Sequence, residues 1–510
     1  MNLNKTFDTP DAPRKTQVLF ETTSLFRDAF YEFNSFFLLL YVQLASPIVS
    51  DSNYTLLFFV LSMALIGVKI LSGFGWMFAA RYFERHPFKT SVYRDMTFQG
   101  SLVSTALFLL LFFVTPLFSG WRYVVAFLAF DFLQEFFYAF NDTAYWAFLN
   151  VSSYNEKVRN RISSLANFFC LFGSITVASL APALAVGKNT TRNLTILGVI
   201  LVTFYFLSQM TYCLFLKTRP SKGIKRVPRS VLEPFRILFS DKEIAACMMT
   251  ALFLFLGEDI LMGNSSAFFT YNYGYGSFGT TGRSSFFSGG VFSFLFQILL
   301  GAGLVSGMLL YPNFSNRFGK KKVSSVAFSC DAVFFLLLFF FGFTPGQEPL
   351  GFILTFLSGL FLGFLYQTVA LNCANAAEYY EAKTGEEKSA SLVALRSFFV
   401  RFGNAIQTGL FYISLQTSGF IGLNQTIAKG EANGMSNSEI NALIQDSFTA
   451  EELTKGLTTY KANLTLVPIF CLLIVVLLGN FCLSFANEKN YSSMVEKVRN
   501  DRRKKAEELK

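Results

Sequence analysis

The sequence predicts an all-α polytopic membrane protein, with twelve transmembrane helices in two six-helix bundles. Three observations lead there. The first is a set of apolar runs of bilayer length, such as 56–78 and 350–371, in a chain that is 52% hydrophobic, holds 65 Phe and is only 15% charged. Soluble domains carry roughly 25% charged residues, and a hydrocarbon core needs about 20 apolar residues per crossing. The second is that the connectors alternate between basic and weakly charged. The third is one long basic stretch, 217–242, that divides the spans six and six. A soluble globular enzyme is excluded.

In chain order the predicted spans are 29–49, 55–80, 93–118, 122–150, 162–187 and 194–216, then 243–273, 285–311, 324–344, 350–376, 391–415 and 456–485. Around them lie an N-tail (1–28), the basic linker (217–242), a long loop (416–455) and a basic C-tail (486–510). Residues 431–455 read as a short polar amphipathic helix outside the membrane. Of the 43 Lys and Arg, 33 fall in the set of loops and tails that contains both termini. Positive charge is retained on the cytoplasmic side, so both termini and the linker are expected in the cytoplasm and 416–455 outside, in a protein of the cell membrane. The net charge of +10 is thereby a topology signal, and nucleic acid is not an expected partner. The N-terminus lacks the apolar core of a cleaved signal peptide.

Cys170, Cys213, Cys247, Cys330, Cys373, Cys471 and Cys482 all lie in apolar segments without a CxxC pair. They read as free thiols, and the one His, His86, has no metal-ligand neighbour in sequence. No cofactor or metal is expected.

Charge inside a span is costly and marks function by default. Arg27, Asp28, Glu258, Asp259 and Asp331 stand near span ends, where snorkelling into headgroups is the plain alternative. Glu32, Lys69, Asp131, Glu135, Asp142 and Arg401 are deeper. Asp131 and Glu135, four apart, share a helix face; they fit either a site or a structural pairing with Arg or Lys of a neighbour. A buried fixed charge at Arg401 needs a counter-charge, expected from Glu32, Asp28, Asp142 or a substrate carboxylate.

After the eighth span, Asn316-Arg317-Phe318-Gly319-Lys320-Lys321 resembles the D-R-x-G-R-R loop of the major facilitator superfamily, with Asn in place of Asp. Two further stretches resemble the glycoside–pentoside–hexuronide:cation symporters of that superfamily. One is Asp142-Thr-Ala-Tyr-Trp146 continuing to Arg159-Asn-Arg-Ile162. The other is Asn375-Ala-Ala-Glu378-Tyr-Tyr-Glu381-Ala-Lys-Thr-Gly385, followed by Phe398-Phe-Val-Arg401-Phe-Gly403-Asn-Ala405. Together they cover about a tenth of the chain.

The resemblance implies a transporter working by alternating access. Its sugar-binding Asp falls on Asp142 and its stacking Trp on Trp146. Tyr366 matches the second aromatic, Arg396 and Ser397 the polar pair before the eleventh-span cation, and Asp28 or Glu32 the first-span acid. Tyr145 and Arg401 are added as lining residues. Arg159, Arg317, Glu378 and Glu381 fall on cytoplasmic gate positions. The chemistry is reasonable in itself, since a carboxylate accepts sugar hydroxyls and an indole covers the C–H face.

There are two departures from the family pattern. Its fifth-span Arg falls on Asn167. Its paired second-span Asp, which bind the coupling cation, fall on Gly67 and Leu71, with Lys69 between them as a compensating charge. Sodium coupling is therefore not expected, and a coupling proton is the open alternative.

The expected function is movement of a small polar solute, a sugar or sugar derivative, by a monomer in contact with membrane lipid. An anionic or lipid-like solute is the alternative, suggested by Lys69, Arg396 and Arg401. A transport-dead sensor on a carrier fold is a third. Asn53, Asn189, Asn193 and Asn424 begin Asn-x-Ser/Thr triplets in loops expected outside.

Overall fold

The structure is a computed structural model. It describes residues 12–486, apart from 45–46, 86–90, 153–155, 187–188, 217–229, 231, 277–286, 345 and 386–387, together with 493–494. His86 lies outside the described residues. These are helical nearly throughout, and no strand occurs among them.

The first half contains α1 (Arg14–Glu32), α2 (Leu38–Leu44), α3 (Tyr54–Arg85), α4 (Ser91–Phe113), α5 (Gly120–Ser152), α6 (Glu156–Ala185) and α7 (Thr190–Phe215). A short α8 (Glu233–Ser240) follows the linker. The second half contains α9 (Lys242–Tyr273), α10 (Gly289–Phe318), α11 (Lys320–Phe341), α12 (Glu348–Thr384), α13 (Ser389–Thr417), α14 (Phe420–Ala432), α15 (Asn437–Ser447) and α16 (Ala450–Leu477). Among the described residues, ten helices are long and apolar enough to cross a membrane. The other two predicted spans are also helical: the first is interrupted, and the eleventh, α13, is continuous but carries Arg396 and Arg401.

Helix packing follows the two-bundle plan. The main contacts join α1 to α6 and α7, and α5 to α3 and α4, in one half. In the other they join α9 to α13 and α16, and α12 to α10 and α11. The halves meet chiefly through α3 against α13 and α6 against α10. In the C-terminal half, α10 and α12 approach until backbones touch. A Cβ on Gly303 or Gly307 would fall 2.2 or 2.0 Å from the carbonyls of Phe356 and Leu360, and one on Gly359 or Gly363 would meet α10 at 2.2 or 2.3 Å. Two facing Gly-x-x-x-Gly pairs are the small-residue seam that membrane helices use to pack closely.

Three boundaries differ from the sequence reading. The N-tail of 1–28 is helical from Arg14, because its polar residues lie on an amphipathic helix that buries Gln17, Glu21, Thr23, Ser24 and Arg27 against the bundle. The first span is broken by a π-turn at Phe33–Phe37, a distortion that exposes backbone carbonyls to other donors. The loop 416–455 is folded as α14, α15 and the first turn of α16. Capping boxes Ser436/Glu439 and Thr449/Glu452 start the last two, since side chains there satisfy the free amides of a helix start. Helix α14 packs on α2 and on Pro47–Ser50 of the other half. Asn424 on α14 is 1% exposed, so its triplet is hidden, whereas Asn53 and Asn189 are exposed.

Candidate solute site between the halves

Helix α5 supplies the site's main stripe. Asp131, Glu135, Tyr138, Asp142 and Tyr145 recur at steps of four and three, so they share one face. Asp142 sits between α1 and α3. Its Oδ1 pairs with Arg27, and its Oδ2 accepts a hydrogen bond from Trp76 Nε1 at 2.7 Å. Arg27 also pairs with Asp28 at 2.9 Å. The guanidinium is buried, while the Asp28 and Asp142 side chains keep 19% and 15% exposure. Two carboxylates holding one arginine leave acceptor lone pairs at an accessible surface.

Aromatic rings enclose this triad. Arg27 lies 4.6 Å from the Tyr145 ring centre and 5.0 Å from that of Trp146. Tyr145 is not a lining residue as expected: it is fully buried, stacked on Phe20, and its hydroxyl donates to the Phe20 carbonyl. It supports Arg27 from behind. Trp146 is half-buried and edge-on to Phe20 at 5.8 Å.

A second cluster crosses the seam. Arg401 on α13 meets Glu135 on α5 at 2.9 Å, both side chains 1% exposed. Arg401 also donates to the Ser35 hydroxyl at 3.3 Å and lies 4.7 Å from the Tyr31 ring centre. Its counter-charge is therefore Glu135, not Glu32, Asp28 or Asp142, because Glu135 lies across the α3–α13 contact while Asp28 and Asp142 already hold Arg27. Ser72 donates to the other Glu135 oxygen. Lys69 donates to Asn404 Oδ1 at 2.6 Å and to the Ser35 carbonyl, on the π-turn, at 3.3 Å. Asp131 is fully buried, with no hydrogen bond to either carboxylate oxygen.

The facing wall comes from the C-terminal half. Tyr366 is half-buried, edge-on to Phe255 at 5.5 Å. It lies within the electrostatic reach of Glu258 and Arg396 from its own half and of Asp28 and Cys170 from the other. Arg396 stands 5.7 Å from the Phe255 ring centre, and Ser397 is half-buried beside it. Glu32 is buried on α1. Asn167, at the departure from the family Arg, is exposed.

Arg317 is exposed at the end of α10, 5.3 Å from the Phe318 ring centre, and Gly319 after it has φ +81°. Glu381 is half-buried near the end of α12. Arg159 and Glu378 occupy helical positions, but their side chains lie outside the described residues. On the same face Lys383 holds Asp241 at 2.8 Å and Lys388 holds Glu233 at 3.0 Å. Burial opposes ionisation of Asp241, but the Lys383 ammonium and the amides of Ile244 and Glu243 outweigh it and keep its carboxyl below the usual range.

Sequence reasoning missed Trp76 as a site residue and left Arg27 open between a functional and a headgroup-snorkelling role. The spacing Lys69, Ser72, Trp76 on α3 was a usable signal, since steps of three and four place all three on one face.

The profile described as MFS/sugar transport protein matches residues 99–481. No curated protein matches the chain by sequence. Among solved structures, a bacterial homolog of the human lysosomal transporter Spinster, inward-facing and unoccupied, aligns over 96% of this chain and 99% of its own with TM-score 0.55 and 12% identity. A variant of the E. coli fucose:proton symporter aligns over 92% and 98%, with TM-score 0.53 and 14% identity. A D-xylose-proton symporter aligns over 83% and 98%, with TM-score 0.55 and 11% identity. At these identities the likeness is one of fold.

Proposed function

The chain belongs to the MFS/sugar transport family, and we propose that it moves a neutral, hydroxyl-rich solute, a sugar or sugar derivative, across the cell membrane by alternating access. It is an integral membrane transporter and not an enzyme; the cargo, the mechanism and the membrane are the proposal. Support comes above all from one observation: Asp28 and Asp142 hold Arg27 at a partly open surface beside Trp76 and Trp146. Carboxylates and indoles together suit vicinal hydroxyls and an apolar sugar face.

The anionic alternative loses ground. Of the cations that suggested it, Arg401 is neutralised by Glu135 and Lys69 is held by Asn404 and a carbonyl. Arg396 keeps a buried Nε without a hydrogen-bond partner, and so does Arg401, but the Arg401 charge is met by Glu135 at 2.9 Å. The halves rock about the α3–α13 and α6–α10 contacts, with both termini and the linker in the cytoplasm. The protein acts as a monomer surrounded by lipid.

The test is a thermal-shift screen of the purified protein against L-fucose, D-xylose, a nucleoside and a hexuronate, followed by uptake into liposomes. A ligand of the folded state raises the melting temperature. Stabilisation by the hexuronate alone would overturn the neutral-sugar reading.

A further inference from the structure

Two of the free cysteines meet inside the C-terminal half. Cys247 on α9 and Cys373 on α12 place their sulfurs 3.9 Å apart. Cys247 is fully buried and Cys373 half-buried. The contact belongs to a line of contacts between the two helices. Lys383 of α12 meets Asp241, the cap of α9, at 2.8 Å, and the Tyr379 hydroxyl meets Glu243 at 3.2 Å. The cysteine pair comes next, and then Tyr366 against Phe255, with ring centres 5.5 Å apart. Residue numbers fall along α12 as they rise along α9, which is the register of an antiparallel helix pair.

A disulfide needs side chains that converge and sulfurs about 2.0 Å apart. The register supplies the convergence. Tyr366 and Cys373 are seven residues apart, and Cys247 and Phe255 eight; each spacing is about two helical turns, so each pair lies on one face. The backbones on either side are already held by Lys383 on Asp241 and by Tyr366 on Phe255. Side-chain rotation is what remains to close the gap between the sulfurs. Among the described residues no third acidic, His or Cys side chain completes a metal site around them.

We propose that Cys247 and Cys373 are a site of reversible oxidation, where hydrogen peroxide converts the two thiols into a disulfide that pins α9 to α12 and arrests the carrier. Cys373, the more accessible of the two, reacts first. Its thiolate sulfur attacks a peroxide oxygen; an S–O bond forms, the O–O bond breaks, and the displaced hydroxide takes the Cys373 proton to make one water. The Cys247 sulfur then attacks the sulfenic sulfur. The S–S bond forms, the S–O bond breaks, and the departing hydroxide leaves with the Cys247 proton as a second water. Both sulfurs are oxidised and both peroxide oxygens reduced, and a reductant restores the thiols. The bond itself does not depend on the carrier reading, but the arrest does. Tyr366 and Phe255, on the C-terminal wall of the candidate site, lie about two turns from the bond, so fixing one helix on the other fixes that wall.

The experiment uses the full chain carrying Cys482→Ser, which removes the exposed thiol, purified in detergent and titrated with hydrogen peroxide. Remaining thiols are capped by alkylation and the digest is read by mass spectrometry. The expected product is a linked peptide holding Cys247 and Cys373, lighter by the two thiol hydrogens and split by a phosphine. Cys247→Ser should stop at a Cys373 sulfenic acid that dimedone traps, and Cys373→Ser should leave Cys247 a thiol. Uptake of labelled L-fucose and D-xylose into liposomes is measured on the same proteins. Peroxide should remove most of the uptake and phosphine restore it, while both Ser variants keep theirs in peroxide. An oxidised parent with an unchanged elution profile and no linked peptide would overturn the site. A linked peptide with uptake unchanged would overturn the arrest. A linked peptide in a protein that takes up neither sugar, reduced or oxidised, would support the site and count against the sugar-carrier reading.

Discussion

Arg401 on α13 and Glu135 on α5 form a desolvated ion pair, 2.9 Å apart, that joins the two halves of the molecule. Removing one member strands the other charge in the interior, at a cost of about 3–5 kcal/mol, whereas replacing both is often neutral. Arg401→Gln and Glu135→Gln should each lower the melting temperature and abolish transport. The double variant should regain most of the stability. Melting curves of the three purified variants decide it; a double variant as unstable as the singles would show that the pair is not what holds the seam.

Asp142→Asn should leave the protein folded, because Arg27 retains Asp28. It removes one of the two anionic partners of Arg27 and the charge that strengthens bonds to hydroxyls. Such bonds are worth about 1.5–3 kcal/mol each, so losing two implies at least about a hundredfold weaker binding. Trp76→Phe deletes only the indole N–H that donates to Asp142 and should cost about tenfold or less. Calorimetric titration with whichever solute stabilises the parent measures both. Equal losses from the two variants would mean that Trp76, not the carboxylate, carries recognition.

The fold was legible in the sequence because bilayer-length apolar runs and alternating basic loops report on the membrane directly. Individual site residues were legible where spacing alone suffices, as in Asp131–Glu135 on one face of α5. Partnership was not. Nothing in the sequence says that Arg401 reaches Glu135 on another helix instead of Asp142, because that depends on which helices meet at the seam. Nor was α1's early start visible, since Gln17, Glu21 and Arg27 look like a solvated tail until a bundle receives them. Tyr145 was misplaced for a related reason: it neighbours Trp146 in sequence but points into the packing around Phe20.

Transport should persist without sodium. Gly67 and Leu71 offer no oxygen ligands, and Lys69 between them is a resident cation bonded to Asn404 and the Ser35 carbonyl. Sodium requires hard oxygen donors and negative charge, and an ammonium in that place repels it. Uptake into liposomes at fixed pH, with sodium replaced by a bulky organic cation, should be unchanged. Collapse of uptake on sodium removal would locate a cation site among other residues.

Glu431 on α14 should act as a latch on the face that carries 416–455. Its carboxylate accepts from the Thr190 amide at 3.0 Å, from the Thr190 hydroxyl at 3.1 Å and from the Tyr275 hydroxyl at 2.5 Å. It thereby ties α14 to the start of α7 in the other half. Burial raises the Glu431 carboxyl above the usual range, although Tyr275 and Thr190 oppose the shift. The closed latch therefore binds a proton more readily than a hydrated Glu does. It is firmest below the ordinary Glu value of about 4.3, and it loosens as pH rises through the raised value. Asn424→Cys, buried beneath α14, reports opening by its labelling with an impermeant maleimide in a background where exposed Cys482 is replaced. Glu431→Gln keeps an acceptor but cannot ionise, so its labelling rate corrects for the thiol's own response to pH. Relative to that variant, labelling should rise with pH in the parent. In Glu431→Ala, which loses about 1.4 kcal/mol of hydrogen bonding, it should be about tenfold faster at acid pH. A parent that tracks Glu431→Gln at every pH would mean that the latch does not titrate.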